Sequence, residues 1–411
     1  MDANSRRYAA LLLAAAAAGL ALRLAFGFGY WTGEVLTRDE REYLSLARGV
    51  ASGRGFVYDA DVLDDPGEPF GRAPGYPAFL AAVGGGRTGV AAVPGSVKAA
   101  QAVLGAAGVV LVGLLATRLG GRRAGVAAAA IAAAYPPLVW ISAYAFSEAL
   151  FWPLGLLLAM SANRMLDRDR AEPARAALWC GLLAGVCVLI RPGTLLVAPL
   201  AAVLLIRRRR LAPLAVFALG LAVVVAPWTA RNYAHSGRFV LLASEGGVTF
   251  WTGNNPLARG EGDFAANPDI RRASDALRAR HPGLSEDDME PIYYREALRW
   301  IAAHPLDWLA LEARKLFYLV IPIGPSYRLH SMRYYAASVV SYGVVLVGAI
   351  VGLSRVGRRA ARVPGLWLLA ASAVAIGLVF FPQERFRIPI LDPTLVICTG
   401  AVWSRRGTDR S

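Results

Sequence analysis

The most regular feature of the chain is a series of apolar runs with almost no charge, such as 9–28, 97–116 and 211–228. A helix of about 20 apolar residues is long enough to cross the hydrocarbon core of a bilayer. The pattern therefore predicts ten membrane-spanning helices, at residues 9–29, 97–116, 124–141, 147–163, 176–190, 193–206, 211–229, 334–353, 364–381 and 388–403.

Charge divides the connections between these helices into two classes. Six short segments hold 20 arginines against 5 acidic residues, which accounts for the whole net charge of +15. These segments are 1–8, 117–123, 164–175, 207–210, 354–363 and 404–411. Short basic loops mark the cytoplasmic side of a membrane protein. We therefore expect both termini in the cytoplasm and the acidic loops outside the cell membrane.

Two other connections are long, at residues 30–96 and 230–333. Connections of more than about 15 residues are uncommon unless they serve a function. They suggest three parts: an N-terminal membrane module at 1–229 that includes the first outer loop, the outer segment 230–333, and the last membrane helices at 334–411.

The second long loop contains two predicted amphipathic helices. Ser285 and Asp288 resemble a capping box at the start of a helix that Pro305 ends. Over residues 306–323 the charged side chains lie off an apolar face, which favours a helix lying in the membrane interface over an eleventh span. That face consists of Leu306, Leu309, Ala310, Ala313, Leu316, Phe317 and Val320.

Composition narrows the class of protein further. The chain is 56% hydrophobic and only 18% charged, whereas soluble domains carry about 25% charged residues. A soluble enzyme and a nucleic-acid-binding protein are excluded. The three cysteines lie inside apolar runs and the four histidines lack metal-binding spacing, so the pattern indicates neither a disulfide nor a metal site.

Acidic residues concentrate in the outer loops, and the first cluster lies just after the first predicted span. Asp39, where water meets hydrocarbon, is a candidate general base. The same residues also fit a structural role, because Thr37 and Glu40 form a capping-box pattern and a carboxylate is favoured in the first turn of a helix. The pattern leaves both roles open.

Several arginines lie in the same outer regions. Arg72 lies within a turn rich in proline and glycine, and a guanidinium there matches the geometry of an anionic headgroup. Arg385 and Arg387 break the charge bias of a short outer loop, which indicates an anionic lipid phosphate as partner. Arg231 fits an interfacial anchor, and Arg23 is expected to extend its charge toward the membrane surface.

Taken in order, these motifs resemble the membrane glycosyltransferases of the GT-C fold, in particular bacterial relatives of the protein O-mannosyltransferases and of the lipid A aminoarabinose transferase. The resemblance covers nearly the whole chain. It is carried by Asp39-Glu40 with Tyr43, Arg72 to Pro77, Ser147-Glu148, Gly185 to Arg191-Pro192, Pro227 to Tyr233, Gly253-Asn254-Asn255-Pro256, His304-Pro305 and Glu384-Arg385-Phe386-Arg387.

The resemblance implies an all-α bundle that moves a sugar from a polyprenyl-phosphate donor to a lipid, glycan or protein acceptor on the extracytoplasmic face, with inversion. Asp39 takes the place of the family's catalytic carboxylate, with Glu40 beside it as a second catalytic candidate. Arg72 takes the place of a residue that holds the donor phosphate. Further phosphate candidates are Arg231, Lys315, Arg385 and Arg387, and the substrate-loop candidates are Tyr43, Tyr76, Glu148, Asn254 and Asn255.

Two questions stay open at this point. Relatives often carry an acidic residue directly before the position of Arg72, whereas this chain has Gly71, so the sequence leaves open whether a divalent metal ion takes part. The alternative function is a lipid or solute transporter or flippase. That class usually shows internal repeats and charges at mid-membrane, whereas here the polar residues collect at one face.

Overall fold

The computed structural model describes residues 2–59, 71–87, 91–167, 172–326 and 331–404, and over these residues the regular structure is entirely helical. The helices are α1 (Ala3–Ala25), α2 (Arg38–Ala51), α3 (Gly75–Ala82), α4 (Gly95–Gly120), α5 (Arg122–Ala134), α6 (Pro136–Trp140), α7 (Ser147–Leu166), α8 (Pro173–Ile190), α9 (Val197–Arg207), α10 (Leu211–Ser236), α11 (Gly246–Gly253), α12 (Pro268–Ala279), α13 (Glu286–Ala303), α14 (Pro305–Val320), α15 (Met332–Val356), α16 (Pro364–Val379), α17 (Glu384–Arg387) and α18 (Leu391–Gly400).

Each of the ten predicted spans coincides with a helical element. Within the described residues, six helices are long and apolar enough to cross a membrane: α1, α4, α7, α8, α10 and α15 with their short extensions. The bent pair α5 and α6 adds a seventh if it is one span, and α9, α16 and α18 are shorter apolar helices. The chain is a multi-pass membrane protein, and the count of ten spans stays a prediction.

The described parts of the predicted cytoplasmic segments meet at one end of the bundle, and residues 168–171 and 405–411 lie outside the described residues. Hydrogen bonds join Arg122 to Ser5, Arg208 to the carbonyl of Leu166, Arg210 to the carbonyl of Asp167, and Arg355 to the carbonyl of Val402. Helices α2, α3 and α11 lie at the opposite end, which we call the loop end. The charge pattern thus sorts the connections between the two ends of the fold as the sequence predicts.

The side of the membrane that each end faces can be tested with Ala361→Cys and Ala279→Cys. Both positions are exposed, and the three native cysteines are buried. We expect a membrane-impermeant maleimide added to intact cells to label position 279 and to label position 361 only after permeabilisation. Labelling of position 361 in intact cells would invert the assigned orientation.

The main hydrophobic core lies among α1, α4, α5, α7, α8, α16 and α18. Arg23 of α1 belongs to this core, because its side chain is only 2% exposed and its guanidinium lies over the ring of Trp152. The expectation that it extends toward the membrane surface is therefore wrong. Gly105 of α4 explains the burial, since a methyl group there would lie 2.4 Å from Nε of Arg23.

The second long loop has a hydrophobic cluster of its own, built from α11, α12, α13 and α14 around Trp251, Ile270 and Tyr293. Ser285 caps α13 as predicted, because its hydroxyl accepts the N–H of Asp288. Every residue of the predicted apolar face of α14 is exposed, while the opposite side buries Leu311, Lys315 and Leu319. An exposed apolar stripe on a helix whose opposite side packs against the protein is the arrangement expected in the membrane interface.

Candidate active site

Helix α2 presents three polar residues on one face at the loop end. It begins at a complete capping box, in which the Thr37 hydroxyl accepts the N–H of Glu40 and the Glu40 carboxylate accepts the N–H of Thr37. Asp39, Glu42 and Tyr43 follow at spacings of three and four residues, which place side chains together on a helix. The local sequence therefore fixes both the start of α2 and the direction in which its acidic face points.

Arg72 reaches this face from the turn that precedes α3. Gly75 lies so close to the end of α8 that a Cβ there would be 2.8 Å from the carbonyl oxygen of Leu189, so the turn requires glycine. The Tyr76 hydroxyl donates to Gln101 of α4 over 2.7 Å, and its ring meets that of Tyr43 edge to face. These contacts hold α3, and with it Arg72, against the bundle.

The centre of the site is a set of ion pairs around Asp39. Its two carboxylate oxygens lie 2.8 Å from Nη2 of Arg72 and 2.5 Å from Nη1 of Arg385. Arg72 also pairs with Glu42 at 2.5 Å and with Glu245 at 3.2 Å. Three separate parts of the chain, the first outer loop, the second outer loop and α17, therefore meet in one cluster of ion pairs.

A second ion pair flanks this centre. Glu148, at the start of α7, lies 2.6 Å from Nη1 of Arg191 at the end of α8. Ser147 connects the two groups, because its Oγ accepts hydrogen bonds from Arg191 at 3.1 Å and from the Tyr43 hydroxyl at 3.4 Å. Tyr43, Tyr76 and Glu148, three of the predicted substrate-loop residues, thus lie at or beside the cluster.

The electrostatics distinguish the carboxylates from one another. Burial acts to raise the pKa of Asp39, but the guanidinium groups of Arg385 and Arg72 outweigh it and hold the pKa well below its usual value. Burial raises the pKa of Glu245 to about 7, which Arg72 opposes and the like charges of Glu42 and Asp39 reinforce. Asp39 is therefore ionised at neutral pH, whereas Glu245 exchanges its proton there.

Other predicted site residues lie outside the cluster. The Glu40 carboxylate is buried and accepts the N–H of Ala145 at 3.0 Å in addition to the cap, so both of its oxygens hold backbone groups. Arg387 is two residues from Arg385 on α17, a separation of about 200° around a helix, and it faces Asp392 and the ring of Tyr342. Arg231 lies over the ring of Trp228, as an interfacial anchor does.

Lys315 and Asn254 hold the second loop against the bundle, whereas Asn255 bonds within the loop. The Lys315 ammonium is fully buried and donates to Asn254 Oδ1 at 2.9 Å, to Glu312 at 2.6 Å and to the carbonyl of Leu378 at 2.7 Å. The Asn255 amide group donates to backbone carbonyls of α11. These contacts use all three donors of the ammonium, so Lys315 is not available to a phosphate in this arrangement.

Replacing Lys315 by Met is expected to lower the free energy of unfolding by about 3 kcal/mol, because a buried ion pair loses one partner. The KM for the donor that the resemblance implies should not change in the folded fraction. The matched control is Arg314→Met, at the exposed neighbouring position, which should alter neither quantity. A raised donor KM with unchanged stability would instead assign Lys315 to the phosphate.

Three members of the cluster were not among the predicted site residues. Glu42 carried a signal, since it lies three residues after Asp39 on the same helix face. Arg191 entered the prediction only as part of the motif from Gly185 to Pro192, with no role assigned to it. Glu245 carried no local signal, because its place beside Arg72 depends on how the second loop folds, where Asp287 accepts the hydroxyl of Ser244 and Glu290 accepts the N–H of Gly247.

The side chains that the structure describes around Asp39 do not by themselves form a site for a divalent metal ion. A side chain at position 71 would meet the hydroxyl of Tyr58, since a Cβ there lies 2.7 Å from that oxygen, so an acidic residue cannot be accommodated there without moving Tyr58. Asp39, Glu42 and Glu245 surround the guanidinium of Arg72, whose charge repels a cation. In the described part of the chain no three His, Cys, Asp or Glu side chains are grouped to hold a metal.

Comparison with solved structures gives the fold. The chain is similar to the archaeal oligosaccharyltransferase AglB from Archaeoglobus fulgidus in complex with an inhibitory peptide and dolichol-phosphate, with a TM-score of 0.58 and 17% identity over 97% of this chain and 50% of that one. The chain has the GT-C fold. The structure of the same oligosaccharyltransferase with Zn and sulfate matches with a TM-score of 0.55 and 17% identity, over 95% of this chain and 48% of that one.

The GT-C fold is thus shared with proteins of which this chain spans about half the length. A further similarity, with a TM-score of 0.47 and 14% identity, is to ArnT from Cupriavidus metallidurans bound to undecaprenyl phosphate, over 98% of this chain and 79% of that one. No protein-family model matches the chain, and no curated protein is significantly similar to it in sequence. The fold-level resemblance predicted from the motifs is confirmed.

Proposed function

We propose that the protein is a membrane glycosyltransferase that moves a sugar from a polyprenyl-phosphate donor to an acceptor hydroxyl. One observation carries the proposal: a single ionised carboxylate, Asp39, lies between two guanidinium groups at the loop end of an apolar bundle. A sugar phosphodiester on a lipid needs both kinds of group, a base for the acceptor and fixed positive charge for the phosphate. The dolichol-phosphate in the matched oligosaccharyltransferase structure supports a lipid phosphate as ligand of this fold.

The carboxylate of the cluster acts on the acceptor, and its guanidinium groups act on the phosphate that leaves. Asp39 takes the proton of the acceptor hydroxyl as its oxygen bonds to the anomeric carbon, on the side opposite the leaving group. The bond between that carbon and the phosphate oxygen breaks, and the electron pair leaves with the lipid phosphate. Arg72 and Arg385 stabilise the charge that develops on the phosphate. Because the acceptor oxygen attacks the face opposite the leaving group, the configuration at the anomeric carbon is inverted.

The resting arrangement also explains how the base is controlled. While both guanidinium groups bond to Asp39, its pKa is held low and it is a weak base. A donor phosphate that takes over these donors removes the opposite charges from Asp39 and adds a like charge beside it, and both changes raise the pKa of the carboxyl. The base thus becomes effective only when the donor is in place.

The proposed function is tested by incubating the purified protein in nanodiscs with a panel of polyprenyl-phosphate hexoses and pentoses. Mass spectrometry should show one donor consumed, with release of free polyprenyl phosphate and appearance of the sugar on an acceptor or in water. Failure to consume any donor, combined with movement of a lipid or solute across proteoliposomes, would replace the transferase by a transporter.

A pH dependence follows from Glu245. The neutral form of this carboxyl leaves Arg72 to the donor phosphate, whereas the ionised form competes with it. Because the pKa is about 7, we expect the donor KM to be low and constant well below pH 7 and to rise by up to about tenfold per pH unit above it. Asp39 stays ionised throughout this range.

Glu245→Gln should give a low donor KM with no rise between about pH 6 and 8. This variant tests whether Glu245 or Glu384 causes the pH dependence. Glu384 lies next to Arg385 in the sequence, and burial also raises its pKa to about 7. An unchanged KM profile in Glu245→Gln would assign the titration to another group.

A further inference from the structure

A buried ion pair lies on the other side of α17 from Asp39. Arg387 is 2% exposed and Asp392 of α18 is fully buried, and Nε of Arg387 lies 3.6 Å from Oδ1 of Asp392. The Arg387 guanidinium also lies 4.0 Å from the centre of the Tyr342 ring of α15. The Tyr135 hydroxyl donates to the other oxygen of Asp392 at 3.0 Å. The pair therefore joins α17 to α18, to α15 and to the junction of α5 and α6.

The stability of the core does not by itself explain a charged pair at this place. The cost of taking two charges out of water can exceed their attraction, and well-packed apolar residues are often at least as stable. Apolar side chains suit these surroundings, because the neighbouring Ile388 and Ile390 belong to the main hydrophobic core. An apolar contact is non-directional, whereas a guanidinium that meets both a carboxylate and a ring face is fixed in orientation. The pair therefore provides a direction that an apolar contact would not.

The element that needs a direction is α17, a helix of only four residues. A helix this short is not stable on its own, so its contacts decide how it lies. Arg385 and Arg387 are two residues apart, which separates their side chains by about 200° around the helix. With Arg387 held on the core side, Arg385 points into the site, where its Nη1 lies 2.5 Å from the Asp39 carboxylate.

A second contact anchors the start of α17 on α15. The Glu384 carboxylate accepts the hydroxyl of Ser338, and both residues are buried. Ser338 and Tyr342 are four residues apart, so they lie on one face of α15. Arg385 lies between the two anchored ends of α17, and its direction depends on how this helix is seated on α15 and α18.

We infer that Arg387 and Asp392 are positioning residues, which aim Arg385 at the lipid phosphate of the donor. The inference rests on the proposed function, in which Arg385 holds that phosphate. It gives Arg387 a role one step removed from the direct phosphate contact that the sequence predicts. Displacement of a binding group by about 1 Å can lower a rate about 10²-fold, so a small turn of α17 is enough to weaken the phosphate site.

The test measures the affinity of the full-length protein in nanodiscs for undecaprenyl phosphate, by native mass spectrometry. Arg387→Met/Asp392→Asn removes both charges together, and the asparagine keeps an acceptor for the Tyr135 hydroxyl. Replacing both partners of a buried pair is often neutral for stability, so we expect this variant to fold. Its Kd for the lipid phosphate should rise about tenfold or more.

The same comparison in an Arg385→Gln background distinguishes positioning from general support of the fold. Independent effects multiply, whereas effects that act through one residue do not. Removal of the pair should therefore change the Kd less than about twofold in this background. Tyr342→Leu, which removes only the ring beside the guanidinium, carries the comparison if the double variant does not fold. The control is Tyr8→Phe, which removes a hydrogen bond to Thr117 at the opposite end of the bundle and should leave the Kd unchanged.

Three results would overturn the inference. They are an unchanged Kd when the pair is removed, an equal rise of the Kd with and without Arg385, and no binding of undecaprenyl phosphate by the unmodified protein. Consumption of a polyprenyl-phosphate sugar, measured in the same samples, separates the two proposals. Donor consumption with a Kd that ignores the pair removes this inference alone. Binding that depends on both Arg385 and the pair, without consumption of any donor, removes the proposed transferase and leaves the positioning of Arg385 supported.

Discussion

Asp39→Asn is expected to lower the rate of sugar transfer by roughly 10²- to 10⁴-fold, the usual contribution of a general base. Asparagine keeps the shape of the side chain but cannot accept the proton of the acceptor hydroxyl. The donor KM should stay constant or fall, because Arg72 and Arg385 lose a competitor for the phosphate. Initial rates over a range of donor concentrations separate the two effects.

The matched control for this variant is Glu42→Gln. Glu42 pairs with the same guanidinium at 2.5 Å, so the substitution removes the same charge from Arg72 but leaves the base intact. Its effect on the rate should be far smaller than that of Asp39→Asn. Equal loss of rate in the two variants, or full activity in Asp39→Asn, would remove Asp39 from the role of base.

Arg72→Ala is expected to have the second largest effect, on both stability and donor use. The substitution removes the ion pair of Arg72 with the buried Glu42 carboxylate and leaves Asp39 paired only with Arg385. Breaking a buried ion pair lowers the free energy of unfolding by about 3–5 kcal/mol. Arg72→Lys keeps the charge but loses the planar fork that bonds to two acceptors at once. We expect Arg72→Lys to fold and to raise the donor KM about tenfold or more, with a smaller change in acceptor KM.

Arg38→Lys provides the comparison for this variant, since Arg38 also pairs with Glu42 but its side chain is 64% exposed. Donor and acceptor KM should both stay unchanged in it. If Arg72→Lys raised the two KM values equally, a phosphate role for Arg72 would be excluded, and its function would be the structural support of α2.

The sequence was most informative where the chemistry is local. The capping box at Thr37 and the side-chain cap at Ser285 depend on residues three apart, and both helices begin where the pattern predicts. The apolar face of α14 also follows from spacing alone. Charge bias sorted the connections between the ends of the bundle because each short basic segment is contiguous in sequence. Each of the ten apolar runs coincides with a helical element, although three of these are helices shorter than the others.

The sequence predicted less well which residues form the site, because this depends on the direction in which single side chains point. Arg385 and Arg387 look equivalent in sequence, but helix geometry points one at Asp39 and the other at Asp392. Lys315 and Asn254 look like exposed polar groups of a loop, yet tertiary packing makes them mutual partners. Glu245 joins the cluster only through the fold of the second loop, which no local pattern encodes.

The account depends most directly on where the donor phosphate binds. A cryo-electron microscopy structure of the protein in nanodiscs with a non-hydrolysable polyprenyl phosphonate sugar measures this position. We predict phosphonate oxygens within hydrogen-bonding distance of Arg72 and Arg385, with the anomeric carbon facing Asp39 and Glu245 displaced from Arg72. A phosphonate bound elsewhere, with the ion pairs of Asp39 intact, would contradict the proposed reaction.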